Sequence, residues 1–159
     1  MTAARQFILD VHASIAELDT DIRCVVGKRG WSCHIAPPCI KWAYSRITWS
    51  PPDTIGGHQK NIITRVQSFD LAIWFDDEDD CSEALDNLIR ACRSVAKGRP
   101  NFEPGPFDWL TEKEASWLNR GVALAGSLSV RIQIPKLPTP AQLATITSQQ
   151  HTETIDPDG

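Results

Sequence analysis

Between Ile62 and Ala96 the chain changes its hydrophobic period once, and that change constrains the fold more than any other feature. Over residues 62–75, Phe69, Leu71, Ile73 and Phe75 alternate with Asp70, Ala72 and Trp74, the period of a strand with one strongly apolar face. Asp76, Asp77, Glu78, Asp79 and Asp80 then interrupt the pattern. Behind them Cys81, Ala84, Leu85, Leu88, Ile89, Cys92, Val95 and Ala96 fall on one face of a helix, which Lys97 and Gly98 close with a basic last turn and a glycine stop. A long strand and an amphipathic helix joined by an acidic turn must bury their apolar faces in one core.

The rest of the chain supplies partners for that unit. Phe7, Ile8, Val11, Ile15 and Leu18 make one stripe of a helix over roughly residues 3–18, with His12 on its polar side. Ile22, Cys24 and Val26 alternate as a short strand before Gly27 and Gly30. Pro37 and Pro38 mark a turn, residues 39–49 (CIKWAYSRITW) read as a strand, and residues 50–61 (SPPDTIGGHQKN) read as a long exposed loop. Trp31, Trp42 and Trp49 in this region suit either core packing or a protein interface. From Gly98 to Arg120 the prolines at 100, 104 and 106 predict a loop, with a short helix opening at Thr111, where Thr111 and Glu114 have capping-box spacing. Residues 122–134 alternate again as a strand of roughly 40 Å, long enough that it should bend at Gly126 or project beyond the sheet. The expected class is α+β: a single domain over 1–136 with a mixed, mostly antiparallel sheet, two main helices and long loops, followed by an extended C-terminal arm over 137–159.

Candidate chemistry is thin. The formal charge of -4 includes the five acids, so the remainder is near neutral and lacks the basic stripe of a nucleic-acid binder. The apolar runs fall far short of the ~20 residues of a membrane span, and Asp10 lies where a secretory signal would be apolar. A soluble protein made in the cytoplasm is expected. As a calcium loop, the acidic run would place Cys81 where glycine is needed and Asn87 where a closing glutamate is needed. Five adjacent acids also point in alternating directions, whereas a two-metal hydrolase needs carboxylates converging from several elements. The structural use is a helix cap, Asp80 with Glu83 three residues later, with Asp76, Asp77, Glu78 and Asp79 as a charged surface near the positive helix end.

The cysteines at 24, 33, 39, 81 and 92 contain no C-x-x-C pair, and Cys24, Cys33, His34 and Cys39 fit no common zinc module. Buried thiols, or disulfides among Cys24, Cys33 and Cys39 formed in an oxidising exterior, are the alternatives. No Cys-His signature, phosphate loop or dinucleotide fingerprint is present. No catalytic residue, metal or cofactor is expected.

The stretches PPCIKWAYSRITWSPPDTIGG, TRVQSFDLAIWFDDEDDCSEALDNLIRAC, FDW and NRGVALAGSLSVRIQIP, in that order over roughly residues 37–137, resemble the tail terminator (tail completion) proteins of tailed bacteriophages. The matching features are Ile47 to Trp49, Pro51 and Pro52, Thr64-Arg65, Ile73-Trp74, Glu83 and Leu85, Trp109, and Gly121 to Pro135. Phe75 stands where many relatives have glycine, and the cysteine content is higher than the family's.

The resemblance implies a non-enzymatic virion protein, assembled in the host cytoplasm and located at the head-tail junction. Such a subunit forms a ring, typically a hexamer, that caps the tail tube, ends its polymerisation and joins it to the head and neck. Its partners would be its own copies, the tail tube protein, head and neck connector proteins and the tape-measure protein, with DNA only as cargo through the lumen and no membrane. Another head-tail connector ring, a stopper or adaptor, is the alternative within the class; a small metal-dependent hydrolase is the alternative outside it. The interface expected on this reading comprises Trp49, Pro51, Pro52, Asp53, Ile55, His58 and Lys60, and, towards the tail, Pro135, Leu137, Pro138 and Leu143. The acids would face the lumen and repel passing DNA.

Overall fold

In the computed structural model, the described residues are 2–19, 21–27, 35–49, 54–55, 58–59, 62–98, 101–111, 113–115 and 117–135. The alternating run over 62–75 is the central strand, β5 (Ile62–Phe75). It pairs antiparallel on one side with β2 (Cys39–Trp49) and on the other, along its full length, with β7 (Val122–Pro135). β1 (Arg23–Gly27) lies parallel to β2 at one edge, and β6 (Phe102–Trp109) lies antiparallel to β7 at the other, giving the order β1-β2-β5-β7-β6. With α1 (Ala3–Ala16) and α2 (Glu78–Val95), the class is α+β.

Both helices cover the same face of the sheet. Phe7, Ile8, Val11 and Ile15 of α1, and Cys81, Ala84, Leu88 and Cys92 of α2, enter one cluster with Ile40, Trp42, Phe69, Leu71, Ile73, Leu124 and Leu128. Phe7 stacks on Phe69 at 6.0 Å and meets Trp42 edge-on at 6.4 Å, so α1 is fixed over the β2–β5 pair by aromatic contacts. Each fully buried leucine or isoleucine here contributes about 2 kcal/mol. Thr2 caps α1 by accepting from the Arg5 amide, and α2 ends where Lys97 and Gly98 turn to positive φ and the Gly98 amide returns to the Arg93 carbonyl.

The opposite face carries a smaller cluster of Cys39, Trp74, Ala115, Leu118 and Ala123, with Trp117 against it. Trp74 Nε1 donates to the Arg120 carbonyl at 2.7 Å, tying the connection before β7 to the end of β5. Gly121 completes that turn at φ +75, and a Cβ there would run into the Phe75 carbonyl oxygen.

Several expectations change. The segment after Gly98 is a strand, not a loop: β6 pairs with β7 from Phe102 to Trp109 despite Pro104 and Pro106, with an irregularity between Pro104 and Phe107. Proline removes a ladder donor, and an edge strand can turn that missing donor outward. At Thr111 the helix shrinks to one turn, in which the Thr111 amide and hydroxyl donate to Glu114 and the Glu114 and Ala115 amides return to the Thr111 carbonyl. β7 does not break register at Gly126; the missing side chain leaves room for the Phe107 ring crossing from β6. Within the expected loop over 50–61, β3 (Thr54–Ile55) and β4 (His58–Gln59) pair as a small antiparallel ladder. The helix α1 ends at Ala16, two residues before the expected Leu18.

Candidate interaction surfaces

Along β2 burial changes abruptly: Cys39 to Ala43 are buried, and Tyr44 to Trp49 are exposed. Beyond Tyr44 the sheet continues as a projection, of β2, β5, β7 and β6 as far as Phe102, which pairs with Val130, and of β2, β5 and β7 past it. The β2–β5 register shifts between Tyr44 and Arg46, so one extra residue lies in β2 at Ser45. Before this bulge the even-numbered residues Ile40, Trp42 and Tyr44 face the helices; after it the odd-numbered Ile47 and Trp49 do, opposite Gln67 and Arg65. The bulge thus aligns Tyr44, Ile47 and Trp49 into one exposed apolar stripe, with Trp49 the most open at 62%.

A groove of about 460 Å³ runs between this stripe and the start of α1, lined by Thr2, Ala4, Tyr44, Ile47, Arg65 and Gln67. Gln67 is buried and spends its side-chain amide on the carbonyls of Arg46 and Ser68. Arg65 Nε is buried with no hydrogen-bond acceptor among the described residues. Tyr44 and Ile47 lie outside the predicted interface, although their place in an apolar series that switches parity was a readable signal.

At the far end of β5 lies the acidic corner. Asp77, not Asp80, is the N-cap: it has extended φ and ψ, and its Oδ1 accepts from the amides of Asp79 at 2.7 Å and Asp80 at 3.1 Å. The helix begins at Glu78, so Asp80 and Glu83 are helical residues and the expected box between them does not form. The Asp80 carboxyl is held above its ordinary range, chiefly by the charge of Asp77, with desolvation next and lesser contributions from Glu83 and Asp79. Asp76 pairs with Arg120 at 3.4 Å, but both side chains are about three-fifths exposed and such a pair contributes at most ~1 kcal/mol. Asp19 and Asp21, from the end of α1, face Asp76, Asp80 and Glu83 across a cleft of about 530 Å³ floored by Phe75. Chain positions this far apart gave no sequence signal of the meeting.

The titratable interior is structural. His12 does not lie on a polar face: its Nε2 accepts from Trp42 Nε1 at 2.7 Å, and burial pushes the imidazole down to about 4. Desolvation also raises three thiols: Cys24, although exposed on β1, to about 11 against the opposing charge of Arg5, Cys81 to about 11, and Cys92 further. None of these three is a poised thiolate nucleophile. Lys41 is fully buried on the sheet face away from the helices, its ammonium 3.7 Å from the centre of the Trp117 ring and 5.0 Å from that of Trp74. A desolvated cation–π contact of this kind contributes roughly 2 kcal/mol. Among the described residues, no group of three or more His, Cys, Asp or Glu side chains is placed to hold a metal ion.

Of the predicted interface, Trp49 is exposed on the projection, Ile55 and His58 pair through their backbones in the β3–β4 ladder, and Pro135 ends β7 opposite Ile62. Pro51, Pro52, Asp53, Lys60, Leu137, Pro138 and Leu143 lie outside the described residues, as do Trp31, Cys33 and His34. Asp76, Asp77, Glu78 and Asp79 are exposed as predicted. A Cys24–Cys39 disulfide is excluded: Cys24 pairs with Ile40 and Cys39 with Arg23, which turns the two side chains to opposite faces, and Cys24 is a free thiol. Among the described residues no helix is long and apolar enough to cross a membrane. No protein-family model matches the chain, and no curated protein matches it either.

Proposed function

We propose that this chain is a structural virion protein that forms a ring, caps a phage tail tube, ends its polymerisation and joins it to the head and neck. The observation that carries the reading is the unlikeness of the two ends of β5. One end presents an aromatic stripe beside Arg46 and Arg65; the other, about 33 Å from Arg65 at ~3.3 Å per residue, presents the carboxylates of Asp76, Asp77, Glu78, Asp79 and Asp80. A closed ring needs a heterologous interface, in which one surface of each copy meets a different surface of the next. Unlike ends with opposite charge suit head-to-tail contact and oppose pairing of like ends. The order of motifs shared with tail terminators points the same way.

On this reading residues 50–61 and the stretch after Pro135 make inter-subunit or ring-to-tube contacts, and the tube, connector and tape-measure proteins are the partners. Exposed acids on the ring surface would keep passing DNA from adhering. Mass measurement and negative-stain microscopy of the purified protein, alone and with tail tubes, test the proposal. Rings, or end-caps on tubes, are expected; a strict monomer under both conditions removes it. Deletion of residues 137–159 should lower ring yield or tail attachment, and normal rings with normal infectivity would refute the role given to that stretch.

A further inference from the structure

We infer that the groove between α1 and the bulged end of β2 is the socket of the head-to-tail contact, and that Arg65 in it receives a carboxylate of Glu78 or Asp79 from the next copy of the chain. The inference rests on the ring reading and adds to it the residues that meet. Its first ground is a charge with nothing to answer it. Arg46 and Arg65 line the groove, and no acidic residue does. Neither arginine forms an ion pair with a described residue, and the buried Nε of Arg65 has no hydrogen-bond acceptor among them. Gln67 beside it has its amide nitrogen committed to two backbone carbonyls. A guanidinium presents Nε–H and a neighbouring N–H as parallel donors, a pair that a carboxylate accepts with both its oxygens. A neutral carbonyl would satisfy the donor and leave the charge, whereas a carboxylate answers both.

The second ground is the supply of such a group. At the other end of β5, Asp77 spends an oxygen on the α2 cap and Asp76 pairs with Arg120. Glu78 and Asp79 are exposed, and neither carboxylate is paired with a described residue. Leu18, 70% exposed, lines the same corner next to Asp19. The corner is therefore acidic and apolar where the groove, with Tyr44 and Ile47, is basic and apolar. Surfaces matched in this way attract each other and repel their own kind.

The third ground is separation. Arg65 lies about 33 Å from Phe75, where β5 ends, at ~3.3 Å per residue, so groove and corner cannot meet within one copy. Between copies, each junction uses one groove and one corner and leaves one of each for the next junction. That repeat is what a closed ring requires.

The test uses the full-length protein carrying photoreactive p-benzoylphenylalanine in place of Ile47, irradiated alone and with tail tubes. Position 47 faces Gln67, some 26 Å from Phe75 at ~3.3 Å per residue, so a crosslink to the acidic corner joins two copies and runs at twice the monomer mass on a denaturing gel. Mass spectrometry should place it on residues 76–83; crosslinks to other segments, or none, overturn the inference. In the otherwise unaltered protein, Arg65→Glu should weaken self-association roughly thirtyfold or more, read by analytical ultracentrifugation, and so should Glu78→Arg with Asp79→Arg. All three substitutions in one chain should restore it, and failure of that rescue in a variant that still melts cooperatively overturns the pairing of Arg65 with these carboxylates. If a substituted chain does not fold, the crosslink alone decides. Microscopy of the same samples separates the two readings: rings without this crosslink lose the inference and keep the proposed function, and crosslinked open chains do the reverse.

Discussion

Acidification should weaken this fold through one buried imidazole. His12 accepts the Trp42 indole hydrogen with Nε2, so it must be neutral for that bond to form, and burial holds its proton affinity at about 4 instead of 6.5. Between those values the unfolded chain carries a proton on His12 that the folded protein refuses. Folding is therefore increasingly disfavoured as pH falls from 6.5 towards 4, and the contribution is complete above 6.5. At about 1.4 kcal/mol per tenfold change over the two units from 6.5 to 4.5, less the partial titration at each end, acidification from pH 7 to pH 4.5 costs about 2.4 kcal/mol. For a chain of this length that is a fall in melting temperature of roughly 5–10 °C. The assay is thermal denaturation followed by circular dichroism at both pH values, for the wild type and for His12→Gln. Glutamine offers an acceptor near the same place and cannot titrate, so the variant should lose most of that difference and melt at nearly the same temperature at both pH values. Equal losses in the two proteins would refute the argument and move the acid sensitivity to the carboxylates.

Gly121→Ala should destabilise by about 2 kcal/mol or more, read as a lower urea midpoint, because the new methyl meets the Phe75 carbonyl and φ is +75. Asp77→Ala should cost about 1 kcal/mol through loss of the α2 cap, whereas Asp80→Asn should cost nothing in the same measurement, since it relieves the charge crowding from Asp77. Equal losses from the two substitutions would restore Asp80 as the cap. At pH 8, Cys24 should react with a thiol reagent roughly tenfold more slowly than free cysteine, because its thiol is pushed up to about 11 and the scarcer thiolate is partly offset by its greater nucleophilicity. Leu88→Ala, in the middle of the α2 contact, should cost roughly 2–5 kcal/mol by denaturant unfolding.

Elements whose period is long and clean were legible from the sequence: the strands over 39–49, 62–75 and 122–135 and the helix behind the acids lie where alternation or helical spacing put them. β6 was hidden because Pro104, Gly105 and Pro106 signal a turn locally, and only its place at the sheet edge makes them tolerable. The cap was misplaced because five consecutive acids offer several capping registers, and the choice depends on which residue stays extended, here Asp77. Alternation turned Lys41 away from the helices, but nothing in β2 announced that Trp117, in the connection between β6 and β7, would cover it. The same gap hid the His12–Trp42 bond and the meeting of Asp19 and Asp21 with the α2 acids, each a contact across distant parts of the chain.

The extra residue at Ser45 has a consequence for how such a surface can change over descent. Losing it would leave Arg46 to Trp49 opposite the same β5 residues and facing the same sides as now, because Tyr44 and Arg46 already pair with the adjacent Phe69 and Ser68. Ile40 and Trp42, on the core side of the bulge, would keep their places. A residue gained in the regular ladder beyond the bulge, with no second bulge to absorb it, would instead turn every side chain past it to the other side. The bulge therefore lets β2 lengthen or shorten by one residue at this point while the side that Ile47 and Trp49 present is inherited unchanged.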